Sequence, residues 1–270
     1  MATRPYWSGQ IRISLVAFPV TLSGAVKRSA QLPLHEIDRK TGERIHHLNV
    51  IQDGTEVERK DIIKGYEIEK NEYVLLEQEE IDSIKLPSSN SLELATFADI
   101  QSIPLMRYER PYFILPDGKD SDEIYAVIHQ ALYNTGKAGI GQFALRGREE
   151  LCAVIPVEEG LMLHTLRYDA ELQPTENIFP DLSKQKPKSD YIALARQLIQ
   201  KNTHTPKFEN FHDHYHEALL ELINAKQSHR KPKFAQTKPT ARIVNFAEAL
   251  RKSLASEDKI SSRSTSSKRA

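Results

Sequence analysis

The sequence predicts an α+β protein that is mostly β: an antiparallel barrel or sandwich, then a helical arm, then a basic flexible tail. Three observations carry this. Short apolar runs with strand-like alternation fill the chain up to about residue 170. Helical periodicity dominates only beyond that point, and strands followed by helices do not suit alternating βαβ units. Residues 226–270 then hold 12 basic and 3 acidic side chains, a charge of +9.

Taken in order, residues 11–22 alternate apolar with small or polar side chains around Pro19, as an edge or bulged strand does. Residues 34–49 predict a hairpin around Thr41-Gly42 whose arms have little apolar content. Tyr73-Val74-Leu75-Leu76 is a strand, and the acidic run 77–85 a short helix. Residues 111–116 are an apolar strand. Ser121 is positioned to cap a helix that begins with Asp122 and Glu123 and stops at Gly136. Ile124, Val127 or Ile128, Ala131 and Leu132 share one face of that helix. Strands follow at 141–146, 150–157 and 161–167, the last two joined by the short turn Glu158-Glu159-Gly160. A Lys- and Pro-bearing linker around 184–188 leads to helices at 190–200 and 210–225. Residues 226–240 are Lys, Pro and polar and predict disorder. Within the tail, 242–254 is an island of helical pattern, with Ile243, Phe246, Leu250 and Leu254 on one stripe.

The 270 residues carry 37 basic and 37 acidic side chains, a formal net charge of zero. That sum conceals segregation: residues 1–225 carry 25 basic against 34 acidic groups, so a −9 body precedes the +9 tail. The first 30 residues contain Arg4, Arg12, Lys27 and Arg28 and no acid, whereas 53–93 hold 12 acids against 5 bases. The single Cys, Cys152, excludes an intrachain disulfide and a multi-Cys zinc site, and its apolar run marks it as a small buried side chain. No stretch approaches the ~18 apolar residues of a membrane span, and residues 1–9 lack an apolar signal core. A cytosolic protein is expected.

Catalytic constellations are scarce. G-I-G-Q-F at 139–143 lacks the third glycine of a dinucleotide loop and opens no helix. His212 and His216 fall at i, i+4 with His214 between them, a spacing that suits zinc, although a solvated helix face is the favoured reading. His46 and His47 point to opposite faces of a strand. His164 sits in an apolar strand, as a core residue does. The adjacent acids Glu79-Glu80, Glu149-Glu150 and Glu158-Glu159 belong to charged surface runs. Nothing assembles a nucleophile, a base and an oxyanion donor, so a binding protein is the expectation. A metal-dependent DNA hydrolase using His212, His214 and His216, and a protein-only scaffold, are the alternatives.

Several longer motifs, in order, resemble those of bacterial Ku: W-S-G-x-I at 7–11, L-V-x-x-P-V at 15–20, R-K-x-G-x-R-I at 39–45 and E-V-E-R-K-D-I-I-K-G-Y-E at 56–67. R-P-Y-F-I-L-P-D-G at 110–118, F-A-L-R-G-R-E at 143–149 and M-L-H-T-L-R-Y at 162–168 continue the likeness, and L-A-R-Q-L-I with H-D-H-Y-H-E-A-L-L-E-L-I-N-A-K closes it. It runs from about residue 5 to 226, with a weaker echo at 242–254. The chain departs from the family where some members carry Cys-x-x-Cys: N-V-I-Q-D-G-T stands there, so no zinc knuckle is expected. Thr21 stands where Lys is frequent, and Asn202 where Met is frequent.

The resemblance implies a β-barrel core at 1–175 with a DNA-encircling β bridge at about 32–65. A helical arm at 176–226 and a basic, largely disordered tail at 227–270 follow, the latter with a possible short helix at 242–254. It implies a homodimeric ring that threads onto double-stranded DNA ends in non-homologous end joining and recruits an ATP-dependent DNA ligase. It also implies no catalysis, no cofactor and no metal, and places the protein in the cytoplasm at the nucleoid. At about 3.3 Å per residue, bridge arms of about 10–12 residues span a duplex. Sequence-independent holding needs phosphate contacts. The candidates are Arg12, Lys27, Arg28, Arg39, Lys40, Arg44, Arg59, Lys60 and Lys64, followed by Arg146, Arg148 and Arg167. In the tail they are Arg230, Lys231, Lys233, Lys238, Arg251 and Lys252. Val244, Phe246, Leu250 and Leu254 are the candidate partner-binding stripe, with the ligase as partner.

Overall fold

A computed structural model describes residues 5–27, 32–85, 90–180 and 186–233. Arg28, Lys238, Val244, Phe246, Leu250, Arg251, Lys252, Leu254 and the helix expected at 242–254 lie outside the described residues. The chain divides into two compact units, Met1–Pro174 and Thr175–Ala270.

The first unit is built on a closed seven-stranded barrel, as the α+β, mostly β reading requires. Strands β1 (Trp7–Ile13) and β2 (Val16–Gly24) form an antiparallel hairpin running from Trp7 opposite Leu22 to Ile13 opposite Val16. The sequence reading of 11–22 as one bulged strand is therefore corrected. Ser14, at φ 54°, turns the chain there without the Gly or Asn that marks most such turns. From β2 the barrel continues through β6 (Tyr108–Pro116), β9 (Gly160–Leu166), β8 (Arg148–Val157), β7 (Lys137–Leu145) and β5 (Ser91–Asp99). It closes where β5 pairs parallel with β1 over Ser91–Glu93 and Gln10–Arg12; every other neighbour is antiparallel.

Period-two alternation fills the interior. Ile11, Phe18, Val20, Leu22, Leu92, Ile114, Phe143, Cys152, Val154, Leu161 and Leu163 are almost wholly buried in one cluster. Strand β5, which the sequence reading missed, supplies Leu92 and Leu94 through the alternating S-L-E-L. Burial above all, with a smaller push from the acid Glu150, raises the Cys152 thiol to about 12, against a lowering backbone hydrogen bond at Gly141. Native protein is therefore expected to resist a maleimide at pH 8 and to label fully in denaturant. Rapid labelling of the folded protein would contradict that.

Helix α2 (Lys119–Thr135) lies across one end of the barrel. Leu132 enters the core, and Ile124, Tyr125 and Ile128 pack on it. The Tyr125 hydroxyl donates to the Ile114 carbonyl (2.8 Å) and accepts from the Leu161 amide (2.7 Å), which joins the ends of β6 and β9. The helix begins three residues before the predicted start: Gly118, at φ 99°, makes the turn, and Ser121 Oγ donates to its carbonyl instead of capping an amide. Its end at the left-handed Gly136 is as expected.

Between β2 and β5, none of residues 32–85 is buried. The hairpin predicted over 34–49 reduces to a single bridge, Ile37 with Arg44, closed by the turn at Gly42; a second bridge, Val50 with Glu56, lies beyond it around Gly54. A two-stranded ribbon with neither face covered gains too little to hold a longer ladder. Beyond it, β3 (Lys64–Glu69) and β4 (Glu72–Leu76) form a separate two-stranded sheet, followed by α1 (Gln78–Ser83) with Glu77 and Glu80 in a capping box.

The second unit contains α3 (Thr175–Ile178), α4 (Ser189–Lys201) and α5 (His214–Gln227). Helix α5 starts four residues later than predicted, because Asp213 caps it by accepting from the His216 amide (3.0 Å).

Candidate nucleic-acid interface

Arg39 and Lys40 stand in the Gly42 turn and Arg44 at the bridge that closes it. All three are exposed, and none has an ion-pair partner among the described residues. Residues 32–65 nonetheless hold seven acids against six Lys or Arg, so the segment is not basic in sum. Several of these acids are engaged locally. Asp38 accepts from the Thr41 amide (2.9 Å), and that bond, the Thr41 hydroxyl and the Lys40 amide hold its carboxyl below the usual range. The Thr55 amide does the same for Asp53. Glu36 meets His47 at 2.9 Å.

The other candidates divide. Lys27 is exposed just past β2. Arg59 and Lys60 share a 3-10 turn, where Lys60 is held by Glu58 at 2.7 Å. Lys64 opens β3, and its charge helps lower the Asp82 carboxyl after the hydrogen bonds from Lys85 and Gln78. Arg12 is exposed on β1 but lies opposite Glu93 and lines a groove of about 470 Å³ that also contains Glu149, so carboxylates oppose its field. Arg167 is withdrawn from solvent duty: its guanidinium donates to the carbonyls of Met106 (2.9 Å) and Tyr108 (2.7 Å), which fastens the β5–β6 connection to the end of β9.

Arg146 and Arg148 flank the β7–β8 turn and come together with Arg110, which the sequence reading passed over. Arg110 lies in the irregular register between Tyr108 and Pro111, where alternation gives no clue to its direction. Its signal was the run E-R-P-Y, in which a strand-breaking Pro follows a cation.

Arg230, Lys231 and Lys233 are exposed, but Arg230 is not a free tail cation. Its guanidinium makes a bidentate pair with Glu221 (2.5 and 2.9 Å), and the Lys233 amide donates to the same carboxylate at 3.0 Å. Chiefly through Arg230, the Glu221 carboxyl falls to about 2.

The histidines do not form a chelate. His212 precedes α5, so the i, i+4 relation to His216 is lost. His212 and His214 instead approach Glu217 at 3.4 and 3.5 Å. No group of three or more potential metal ligands exists among the described residues. His164, expected in the core, is half-buried instead; it packs edge-on against Tyr108, and burial lowers its pKa. No helix among the described residues is long and apolar enough to cross a membrane.

Large apolar side chains are exposed throughout 34–84, including Leu34, Leu48, Tyr66, Ile68, Leu75 and Ile84, and on the second unit at Ile199, Phe208, Phe211 and Tyr215.

A model of the Ku70/Ku80 beta-barrel domain matches residues 12–205. Curated proteins described as "Non-homologous end joining protein Ku" align over nearly the whole chain. The one from Acidobacterium capsulatum is 39% identical over 261 residues, covering 94% of this chain and 86% of its own length. That from Archaeoglobus fulgidus is 33% identical over 252 residues (93% and 98%), and that from Bradyrhizobium sp. 31% over 261 residues (96% and 89%).

Proposed function

Because the chain belongs to the Ku family, we propose that it binds double-stranded DNA ends, independently of sequence, in double-strand-break repair by non-homologous end joining. The carrying observation is a match over nearly the whole chain to proteins named for that process. The geometry agrees with it. A closed barrel buries its own core, while residues 32–85 contribute nothing to that core and present exposed cations and apolar side chains together. A segment with that composition suits two partners at once, a polyanion and a second protein surface.

In this reading two copies form a cyclic dimer, each covering the other's exposed apolar residues, and the two 32–65 segments close around the duplex. Arg39, Lys40 and Arg44 take the phosphates, with Lys27, Arg28, Arg59 and Lys64 as further candidates. Phosphate contacts position the ring without selecting a sequence. Lys231, Lys233, Lys238, Arg251 and Lys252 add non-specific affinity, and Val244, Phe246, Leu250 and Leu254 form the stripe that recruits the ATP-dependent ligase. The protein performs no catalysis in this account.

Threading requires a free end. Linear duplex should therefore bind, and a covalently closed circle of the same sequence should compete only weakly and at low salt, as read by competition against a labelled linear fragment. A protein-only scaffold would bind neither, and a metal-dependent hydrolase would cut DNA when supplied with zinc or manganese.

A further inference from the structure

The barrel end opposite α2 carries a recess of about 240 Å³ lined by Arg110, Arg146 and Arg148 together with Tyr6, Tyr112 and Glu150. Three guanidiniums stand there against Glu150 and against Glu109, which meets Arg110 at 3.2 Å, so positive charge is still in excess. The Arg146 guanidinium lies over the Tyr6 ring at 5.8 Å, and Tyr6 stands edge-on to Tyr112 with ring centroids 5.6 Å apart. The backbone adds an independent observation. Arg146 (φ 55°) and Gly147 (φ 80°) both occupy left-handed conformations in the β7–β8 turn. Such a turn takes Asn-Gly at low cost, and an Arg in the first position bears strain that Asn or Gly would not. Strained backbone of this kind concentrates at binding sites.

We propose that this recess binds a phosphate monoester borne on a nucleoside, with the guanidiniums gripping the phosphate and Tyr6 flanking the sugar or base. Forked guanidiniums match phosphate oxygens bidentately, and an aromatic face accepts a nucleobase without choosing among bases. The volume lies below that of drug-sized pockets, which suits a phosphate and part of a nucleoside and excludes a duplex. Glu150 is half-buried, and burial, then Glu109, raises its carboxyl, so it yields its charge to an incoming anion more readily than an exposed acid does. Two sources share this chemistry: the 5′-phosphate at a broken DNA end and a free nucleotide. The first rests on the end-binding reading above; the second does not.

The test titrates the full chain with deoxyadenosine 5′-monophosphate and with deoxyadenosine, and compares linear duplexes bearing 5′-phosphate or 5′-hydroxyl ends. The monophosphate is expected to bind and the nucleoside to bind at least about tenfold more weakly. Arg146→Gly with Arg148→Gln is expected to weaken the monophosphate by about tenfold or more. Arg146→Gly relieves the left-handed strain, so an unchanged or raised melting temperature separates lost binding from lost fold. A preference for 5′-phosphate ends identifies the DNA end as the source. Monophosphate binding without end preference identifies the free nucleotide. No monophosphate binding and no end preference would overturn the site, while a retained preference for linear over circular DNA would leave the end-binding reading standing.

Discussion

Reversing Arg39 and Arg44 together to Glu is expected to weaken binding to duplex ends by about 100-fold or more near physiological salt. In the proposed dimer the double substitution removes four cations and installs four acids on the face proposed to meet the duplex. Each phosphate contact contributes about 0.9 to the slope of log affinity against log salt. Loss of four should flatten that slope by about 3 to 4, and the deficit should narrow as salt rises. Neither residue contributes to the buried core or holds an ion pair among the described residues, so fold and oligomeric state should survive. Sedimentation measures the dimer, and anisotropy across a salt series measures the affinity. An unchanged slope would move the duplex path away from the Gly42 turn. Reversing Arg167 is expected to act differently. Its donors hold the Met106 and Tyr108 carbonyls, so its loss should lower stability before it touches affinity.

Gly141→Ala is expected to cost roughly 2–4 kcal/mol, equivalent to a fall of roughly 5–15 °C in the melting temperature. A Cβ at Gly141 would lie 2.1 Å from the Glu93 carbonyl oxygen and 2.9 Å from its carbon, both backbone atoms of the neighbouring strand. A flexible side chain moves aside at little cost, whereas a strand in a closed barrel moves only by disturbing the ladder. The contact falls where β5 shifts register against β7, between Leu94 and Thr96, and beside the Cys152 Sγ bond to the Gly141 carbonyl. Gly42→Ala is the informative contrast. Nothing lies within 4 Å of its Cβ, so only the left-handed φ of 75° is penalised, at about 1–2 kcal/mol and in a segment that adds nothing to the core. Calorimetry on the two variants separates steric from conformational cost, and equal losses would contradict the account.

What the sequence made legible was set by local physics. The strands of 150–157 and 161–167 and the stop at Gly136 follow from alternation and from the left-handed preference of glycine, both carried by adjacent residues. Strand β5 was missed although S-L-E-L alternates. The acidic run before it read as helix, and its partner β1, with which it pairs in parallel, is far away in the chain. The Ser14-Leu15 turn was missed because the two-residue signature looks for Gly or Asn, and the barrel imposed the turn on Ser. The hairpin at 34–49 was over-read for the opposite reason. The Gly42 turn is local and real, but the ladder beyond it needs a covered face that no nearby residue supplies.

The exposure of the candidate cations was legible in composition, and their surroundings less so. Arg39, Lys40 and Arg44 are exposed, as a turn of charged residues around glycine suggests. Asp38 and Glu36 find local partners in the Thr41 amide and His47, which no count of charges reveals. Arg230 read as a free tail cation, yet Glu221 lies nine residues earlier on the helix and captures it. The i, i+4 histidine pair failed because Asp213, an N-cap by its side chain, sets the helix start between His212 and His216. Arg110, Arg146 and Arg148 converge only because a turn and a register shift bring them to one end of the barrel.

The central claim is that the protein holds DNA by threading onto an end. It is tested most directly by competing a fluorescent linear duplex with unlabelled linear and covalently closed circular forms of one sequence across a salt series. The account predicts that linear DNA displaces the label at every salt concentration, with an affinity that falls steeply as salt rises, while the closed circle competes only weakly and at low salt. Equal competition by the closed circle throughout the series would contradict threading and leave a protein that binds the side of the duplex.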